Sequence, residues 1–368
     1  MTTSYDVIVV GGGPVGAACA RELALTGRRV LVLDQGGELG QGWRAAAGML
    51  APQIEAHGDD PILELGLAGR EHYMELGKAL QETTGIDIGL WREGIAAVAA
   101  TEAEAAALRS RVAWQRQQSH LSDWLDAEET KARWPWLGPT HGALWAPREG
   151  ALDPERLVEA LLADARRLGA VVGHEAVISV DRQDDRATGV VGRSGRYAAG
   201  DVVLAAGAWS GTLDGLPRPL SVAPVRGQMA ALPWPAGARR AIVYGHGCYI
   251  VARGEEAIVG STMEYVGFRP EVTPEGIARL QSGAVALCPA LKLVSARRTW
   301  AGLRPMTPDG LPIIGAEPRL PGLWYATGHG RNGILLAGIT GAIVRQLVCG
   351  EATAEELAPF APTRFWSW

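Results

Sequence analysis

The run Val7-Ile-Val-Val-Gly11-Gly-Gly13-Pro14-Val15-Gly16 constrains this chain more than any other stretch. A short apolar segment at 5–10 precedes the glycines, a helical segment follows to about Thr26, and a second strand at 29–33 closes on Asp34. That order is a βαβ unit carrying a G-x-G-x-x-G turn. Gly11 permits the tight turn, Gly13 lets a pyrophosphate approach the backbone, and Gly16 lets helix and strand pack closely. The helix then offers free N–H groups to phosphates. Asp34, 18 residues after Gly16 and followed by Gln35, stands where a carboxylate accepts hydrogen bonds from ribose hydroxyls.

The rest of the chain sets the frame for that unit. With 368 residues, 47% of them hydrophobic, it exceeds one ordinary domain, so two interleaved domains are expected. A formal charge of -5 gives no broad basic field, which argues against nucleic acid or anionic lipid and for a small-molecule partner. Cys19, Cys248, Cys288 and Cys349 are scattered, so no metal site is expected. The start lacks a cationic region, and the apolar run 7–10 is too short for a signal peptide. The apolar stretch 333–344 also falls short of the roughly 20 residues of a membrane helix. The expectation is a mature protein beginning at residue 1, soluble and cytoplasmic.

Helical spacing recurs at 61–83 and 102–117, and Asp153 before Pro154 caps a helix to about Leu168. Strands are expected at 170–180 and 201–206, then longer alternating strands over 221–262. These include the pair 249–252 and 257–260 around Arg253-Gly254-Glu255-Glu256. Thr273 caps a helix at 274–287, strands follow at 312–314 and 323–326, and a helix at 333–348 closes the chain. The tryptophan-rich stretch 115–147 has no regular period and reads as core filling. The fold class is α/β, α+β overall, with a Rossmann-type dinucleotide domain and an inserted antiparallel sheet. The first domain is assigned to 1–84, 145–218 and 300–368, and the second to 85–144 and 219–299.

The glycine motif alone does not separate NAD from FAD. Three later features favour FAD. Gln41-Gly42-Trp-Arg44-Ala-Ala46-Ala47-Gly48-Met49 supplies small residues beside which an isoalloxazine ring fits. The buried run 201–206 ends in Ala206-Gly207-Ala-Trp209, small residues placed as in flavin folds, and Val177 is assigned to the same cofactor wall. Gly328-His329-Gly330-Arg331-Asn332-Gly333-Ile334 opens the last helix, whose dipole suits negative charge on the N1–C2=O edge of a reduced flavin.

Taken with Trp300-Ala-Gly-Leu-Arg304-Pro, these motifs resemble the glycine oxidases, relatives of D-amino acid oxidase and sarcosine oxidase, over nearly the whole chain. The resemblance implies a FAD enzyme that oxidises glycine or a small amine to an imine and passes electrons to molecular oxygen, giving hydrogen peroxide. The imine feeds thiazole synthesis in thiamine production or hydrolyses to glyoxylate. By the same resemblance, Arg304 anchors the substrate carboxylate. A guanidinium also suits that planar anion on physical grounds, through two parallel hydrogen bonds. Tyr249 resembles the tyrosine that reaches the carboxylate, Met49 and Met263 resemble pocket residues, and Arg331 matches a position near flavin and substrate. His246, assigned to the pocket, and His329, assigned to the cofactor, each sit between glycines that leave room for a ligand, although a backbone-bonding histidine is the plainer reading of both.

Two departures stand out. The run 300–309 lacks the cysteine that binds flavin covalently in sarcosine-type oxidases, so FAD is expected to be non-covalent. Asp34 stands where many relatives carry glutamate. Competing readings are an oxidase of another small D-amino acid or secondary amine, a nicotinamide-dependent dehydrogenase, and a non-catalytic flavoprotein. A homo-oligomer is left open.

Overall fold

Positions 7–10 are valine or isoleucine throughout and all are buried, as a strand covered on both faces requires. The structure, a computed structural model, describes residues 4–37, 40–352 and 354–365. Strand Tyr5–Val10 pairs in parallel with Val30–Asp34 and with Arg196–Leu204. Val171–His174 extends the sheet on one side and Leu323–Thr327 on the other, both in parallel. Ile313–Ala316 and the hairpin of Val177–Gln183 with Arg186–Gly192 add antiparallel strands, making eight.

Because successive side chains of a strand point to opposite faces, Val7 and Val9 pack one way and Ile8 and Val10 the other. The first face carries helices Pro14–Ala24, Pro154–Arg167 and Gly333–Val348, through Cys19, Leu23, Ala165, Ala337 and Val344. At the turn, Gly11 has φ +102°, and a Cβ on Gly16 would run into the Gly11 carbonyl oxygen. Glycine is needed at both places for steric reasons internal to the protein.

The second sheet has nine strands, with the long strand Ala223–Pro233 paired to Arg298–Met306 and to Glu256–Gly260. The hairpin expected around residues 253–256 forms from Cys248–Arg253 and Glu256–Gly260, with Arg253 opposite Glu256. Two strands cross the domain assignment made from sequence. Arg298–Met306 runs through the boundary at 300, and Gly40–Gln41, from the first segment, joins the second sheet.

The caps at Asp153 and Thr273 form as expected, each accepting backbone N–H bonds from the first turn. The stretch 115–147 is more ordered than its sequence suggests. It holds strand Asp123–Leu125, helix Ala127–Arg133 and strand Ala143–Ala146. The helix is seven residues long, and its signal is a capping box between Asp126 and Glu129 rather than a period. Strand Ile95–Val98 was equally hidden, because Ile-Ala-Ala-Val is buried throughout and shows no alternation. No helix among the described residues is long and apolar enough to cross a membrane.

Candidate active site

The carboxyl ends of the parallel strands and one face of the nine-stranded sheet enclose a cavity of about 570 Å3. Gly11, Gly13, Pro14, Val15, Asp34 and Gln35 line one end. Gly42, Ala46, Ala47, Gly48 and Met49 form one wall, and Val177, Ala206, Gly207 and Trp209 another. At the far end stand Arg304, Tyr249, Met263 and residues 329–334.

The helix caps show what the cavity is built to receive. Among the described residues, five of the seven α-helices of seven residues or more have a side-chain N-cap: Asp60, Thr101, Asp126, Asp153 and Thr273. The two that lack one are Pro14–Ala24, after Gly13, and Gly333–Val348, after Asn332. Both of these begin on the cavity wall. The first N–H groups of a helix need acceptors, and the dipole favours negative charge there. A flavin dinucleotide fits both needs, with its pyrophosphate for one helix and the N1–C2=O edge for the other. A Cβ on Gly13 would press on the Trp43 side chain at 3.3 Å but meet no backbone, and Gly13 lines the cavity. The Asp34 carboxylate accepts N–H bonds from Gly12 at 2.6 Å and Gly36 at 2.7 Å. With about four acceptor positions on a carboxylate, capacity remains for a ribose.

The far end is made of side chains. Arg304 lies on Arg298–Met306 and Tyr249 on Cys248–Arg253, with two strands between them. Those strands supply Gly227 and Gly260, where a Cβ would press into the Arg304 guanidinium and the Tyr249 phenol respectively. Arg304 donates from Nη2 to Ser261 Oγ at 2.7 Å and from Nη1 to the Thr262 carbonyl at 3.2 Å. It has no carboxylate partner among the described residues. Its removal from water pulls its pKa below the ordinary arginine value, yet a guanidinium stays charged. A cation so placed is costly unless an anion joins it.

Beside it, the rings of Tyr244 and Tyr249 lie 5.4 Å apart, and the Tyr249 hydroxyl is 3.5 Å from Met229 Sδ. The Tyr244 hydroxyl donates to Glu55 Oε1 at 3.0 Å, and Arg331 Nη2 lies 3.1 Å from Glu55 Oε2. Glu55 ends the short helix Pro52–Glu55, whose first N–H groups, from Gln53 and Ile54, bond to the carboxylate of Glu149. Burial pushes the Glu149 carboxyl up to about 8.

Most residues singled out from the sequence line this cavity, including Met49, Met263, Tyr249, Arg304 and Arg331. His246 does not. It is exposed at the turn between Ile242–Gly245 and Cys248–Arg253, with φ +51°, and the glycines on either side, Gly245 and Gly247, line the wall instead. Arg44 also faces away, stacked 4.4 Å over Trp43 and bonded to Gln41 Oε1 at 2.9 Å. Gly16 and Gly328 act from behind the lining, through packing on Gly11 and Thr307. His329 does line the cavity. It is 2% exposed, its Nε2 is 3.0 Å from Thr340 Oγ1, and burial pulls its pKa down to about 3, so the ring is neutral. The sequence reading omits Glu55, Tyr244, Met229 and Ser261. Only Tyr244 had a usable signal: in a tight hairpin it falls opposite Tyr249, on the same face.

Fold and cavity together define a flavin-dependent oxidoreductase with a parallel dinucleotide-type sheet and a second, largely antiparallel sheet. The chain belongs to the DAO family, FAD dependent oxidoreductase, whose model matches residues 6–347. It is 36% identical to a glycine oxidase of Geobacillus kaustophilus over 370 residues, covering 99% of this chain and 98% of that one. It is also 36% identical to the Bifunctional protein ThiO/ThiG of Synechocystis, covering 99% of this chain but 55% of that longer relative. The crystal structure of glycine oxidase from Geobacillus kaustophilus matches with a TM-score of 0.93 at 35% identity, covering 100% of both chains. FAD is the cofactor and the chain is an oxidoreductase.

Proposed function

We propose that the chain oxidises glycine or an N-substituted glycine at Cα. The products are an imine, which water splits to glyoxylate and an amine, and hydrogen peroxide from molecular oxygen. The observation that carries this reading is Arg304, a cation at the far end of the cavity without a protein carboxylate beside it. The relatives named glycine oxidase support it.

Bound FAD supplies the hydride acceptor. The Gly11 to Gly16 turn would hold its pyrophosphate, Asp34 its ribose, and the start of Gly333–Val348 its N1–C2=O edge. No cysteine lies on Arg298–Met306, which supports a non-covalent flavin. The guanidinium of Arg304 takes the substrate carboxylate in two parallel bonds, and the Tyr249 hydroxyl donates to the same anion. Met49 and Met263 bound the apolar side of the pocket. Fixing the carboxylate aims Cα, and positioning of this kind lowers a barrier without any acid–base dyad. Gly245 and Gly247 line the wall beside Tyr249, and Met263 is 44% exposed at the mouth, so space continues past a glycine-sized ligand toward an N-substituent. The dinucleotide unit is assigned to 1–84, 145–218 and 300–368 and the substrate unit to 85–144 and 219–299, while the pairing of Arg298–Met306 with Ala223–Pro233 supports counting that strand with the second.

The test is peroxide and glyoxylate release from glycine, N-methylglycine, small D-amino acids and carboxylate-free amines. Glycine or its N-methyl form is expected to react and the carboxylate-free amines to be inert. Reaction with simple amines alone overturns the reading.

A further inference from the structure

Glu55 is held in place with unusual care for a residue at the end of a four-residue helix. The helix Pro52–Glu55 receives a buried carboxyl group, that of Glu149, at its first N–H groups. Arg111 Nη2 donates to the Ile54 carbonyl at 2.5 Å, and Gln115 Nε2 to the Gln53 carbonyl at 2.8 Å. Arg70 Nη1 donates to Gln53 Oε1 at 2.8 Å. Taking two arginines and a carboxyl group out of water to fix one helical turn is expensive. What the turn presents to the cavity is Glu55.

The two oxygens of Glu55 differ. Oε1 accepts the Tyr244 hydroxyl at 3.0 Å. Oε2 is buried and has no hydrogen bond, since Arg331 Nη2 approaches it at 3.1 Å as an ion pair without hydrogen-bond alignment. The Glu55 carboxylate, in a wall shared with Arg304 and Tyr249, keeps at Oε2 a lone pair that no protein donor uses. A carboxylate held by Arg304 leaves the amino acid's nitrogen to be matched, and among the described residues Glu55 is the acidic side chain that lines the cavity with Tyr244 and Arg331.

We propose that Glu55 is the counter-charge for the substrate nitrogen. Its carboxylate, on the cavity wall, stabilises the positive charge that nitrogen gains during oxidation. In that step the Cα–H bond breaks and its electron pair leaves with the hydrogen to the flavin. The nitrogen lone pair becomes the second C–N bond, and the resulting iminium later gives a proton to water. The substrate loses two electrons and the flavin gains them. Glu55 therefore matters most when charge has developed, which is the interaction that raises a rate. The inference rests on the amino acid reading of the substrate.

The experiment compares holoenzyme carrying Glu55→Gln, Arg331→Met and both changes with the unaltered protein. Glutamine keeps the shape and an acceptor for Tyr244 while removing the charge. Two quantities are read: kcat/KM for glycine or N-methylglycine, and the Kd of glycolate, which has the carboxylate but no amine, from perturbation of flavin absorbance. Loss of kcat/KM by about 10- to 100-fold in Glu55→Gln is expected, with the same factor recurring in the Arg331→Met background. Glycolate should bind as tightly as before or tighter, because a negative charge has left the site. Glu55→Asp, which keeps the charge, should recover part of the loss. Equal losses for the amine and for glycolate mean that Glu55 only shapes the pocket, and overturn the proposal. A loss that vanishes in the Arg331→Met background means that Glu55 acts through Arg331, and overturns it too. If the unaltered protein oxidises no amino acid while reacting with simple amines, the substrate reading itself has failed and this inference goes with it.

Discussion

At the cofactor end of the cavity the ligand-facing groups are mostly backbone, offered by two uncapped helix starts and a glycine turn. At the far end they are side chains: Glu55, Tyr244, Tyr249, Arg304 and Arg331, drawn from a short helix, three strands and the turn before the last helix. The difference teaches where a site is written. A backbone site is encoded locally, because what matters is which residues leave the backbone bare. A side-chain site depends on strand register and exists only after folding.

The largest effect should come from breaking the backbone end. Gly11→Ala and Gly16→Ala put a Cβ against the Ala205 and Gly11 carbonyls respectively. Each should lower stability by roughly 2 to 4 kcal/mol and abolish flavin retention, measured by denaturant midpoint and absorbance. Gly13→Ala sharpens the point. Its Cβ would crowd only the Trp43 side chain, at 3.3 Å, so stability should fall far less than at Gly11 or Gly16 while flavin affinity still falls, because the pyrophosphate approach is blocked. If Gly13→Ala keeps full flavin occupancy, the phosphate assignment at this turn is wrong.

Next in size is Arg304→Ala at the side-chain end. Removing a charge-assisted bidentate contact should lower kcat/KM for the amino acid roughly 10- to 150-fold. The flavin spectrum should stay intact, so the two ends separate experimentally. Arg304→Lys should recover part of the loss, since lysine keeps the charge but not the planar fork. Unchanged kinetics with Arg304→Ala would move a simple amine ahead as substrate. Tyr249→Phe, which removes a single neutral hydroxyl, should cost only about 2- to 10-fold, seen mainly in KM.

The smallest effect concerns the support beneath Glu55. Burial raises the Glu149 carboxyl from 4.5 to about 8, so the folded state binds a proton there more tightly than the unfolded chain does. The stability linked to that proton is fully present below about pH 4.5 and is lost as pH rises toward about 8. Thermal midpoints of Glu149→Gln should therefore fall less across this window than those of the unaltered protein. Parallel curves would show that Glu149 does not titrate there.

Fixed by sequence alone are the features whose physics is local. Residues 5–34 show strand, glycine turn, helix and acidic strand end in the text itself, and Asp153 and Thr273 announce their helices by hydrogen bonding within three residues. Arg304 was legible through resemblance and through the fit of a guanidinium to a carboxylate. Tertiary structure alone decided the rest. It turned His246 outward because a two-residue turn leaves its side chain beyond the sheet, and turned Arg44 onto Trp43. It also brought in Glu55 from a segment with no motif, using Glu149, Arg111 and Gln115, which lie 56 or more residues away in sequence. Hydrogen bonds over such spans leave no period or spacing in the chain, so only the packed fold brings their partners together.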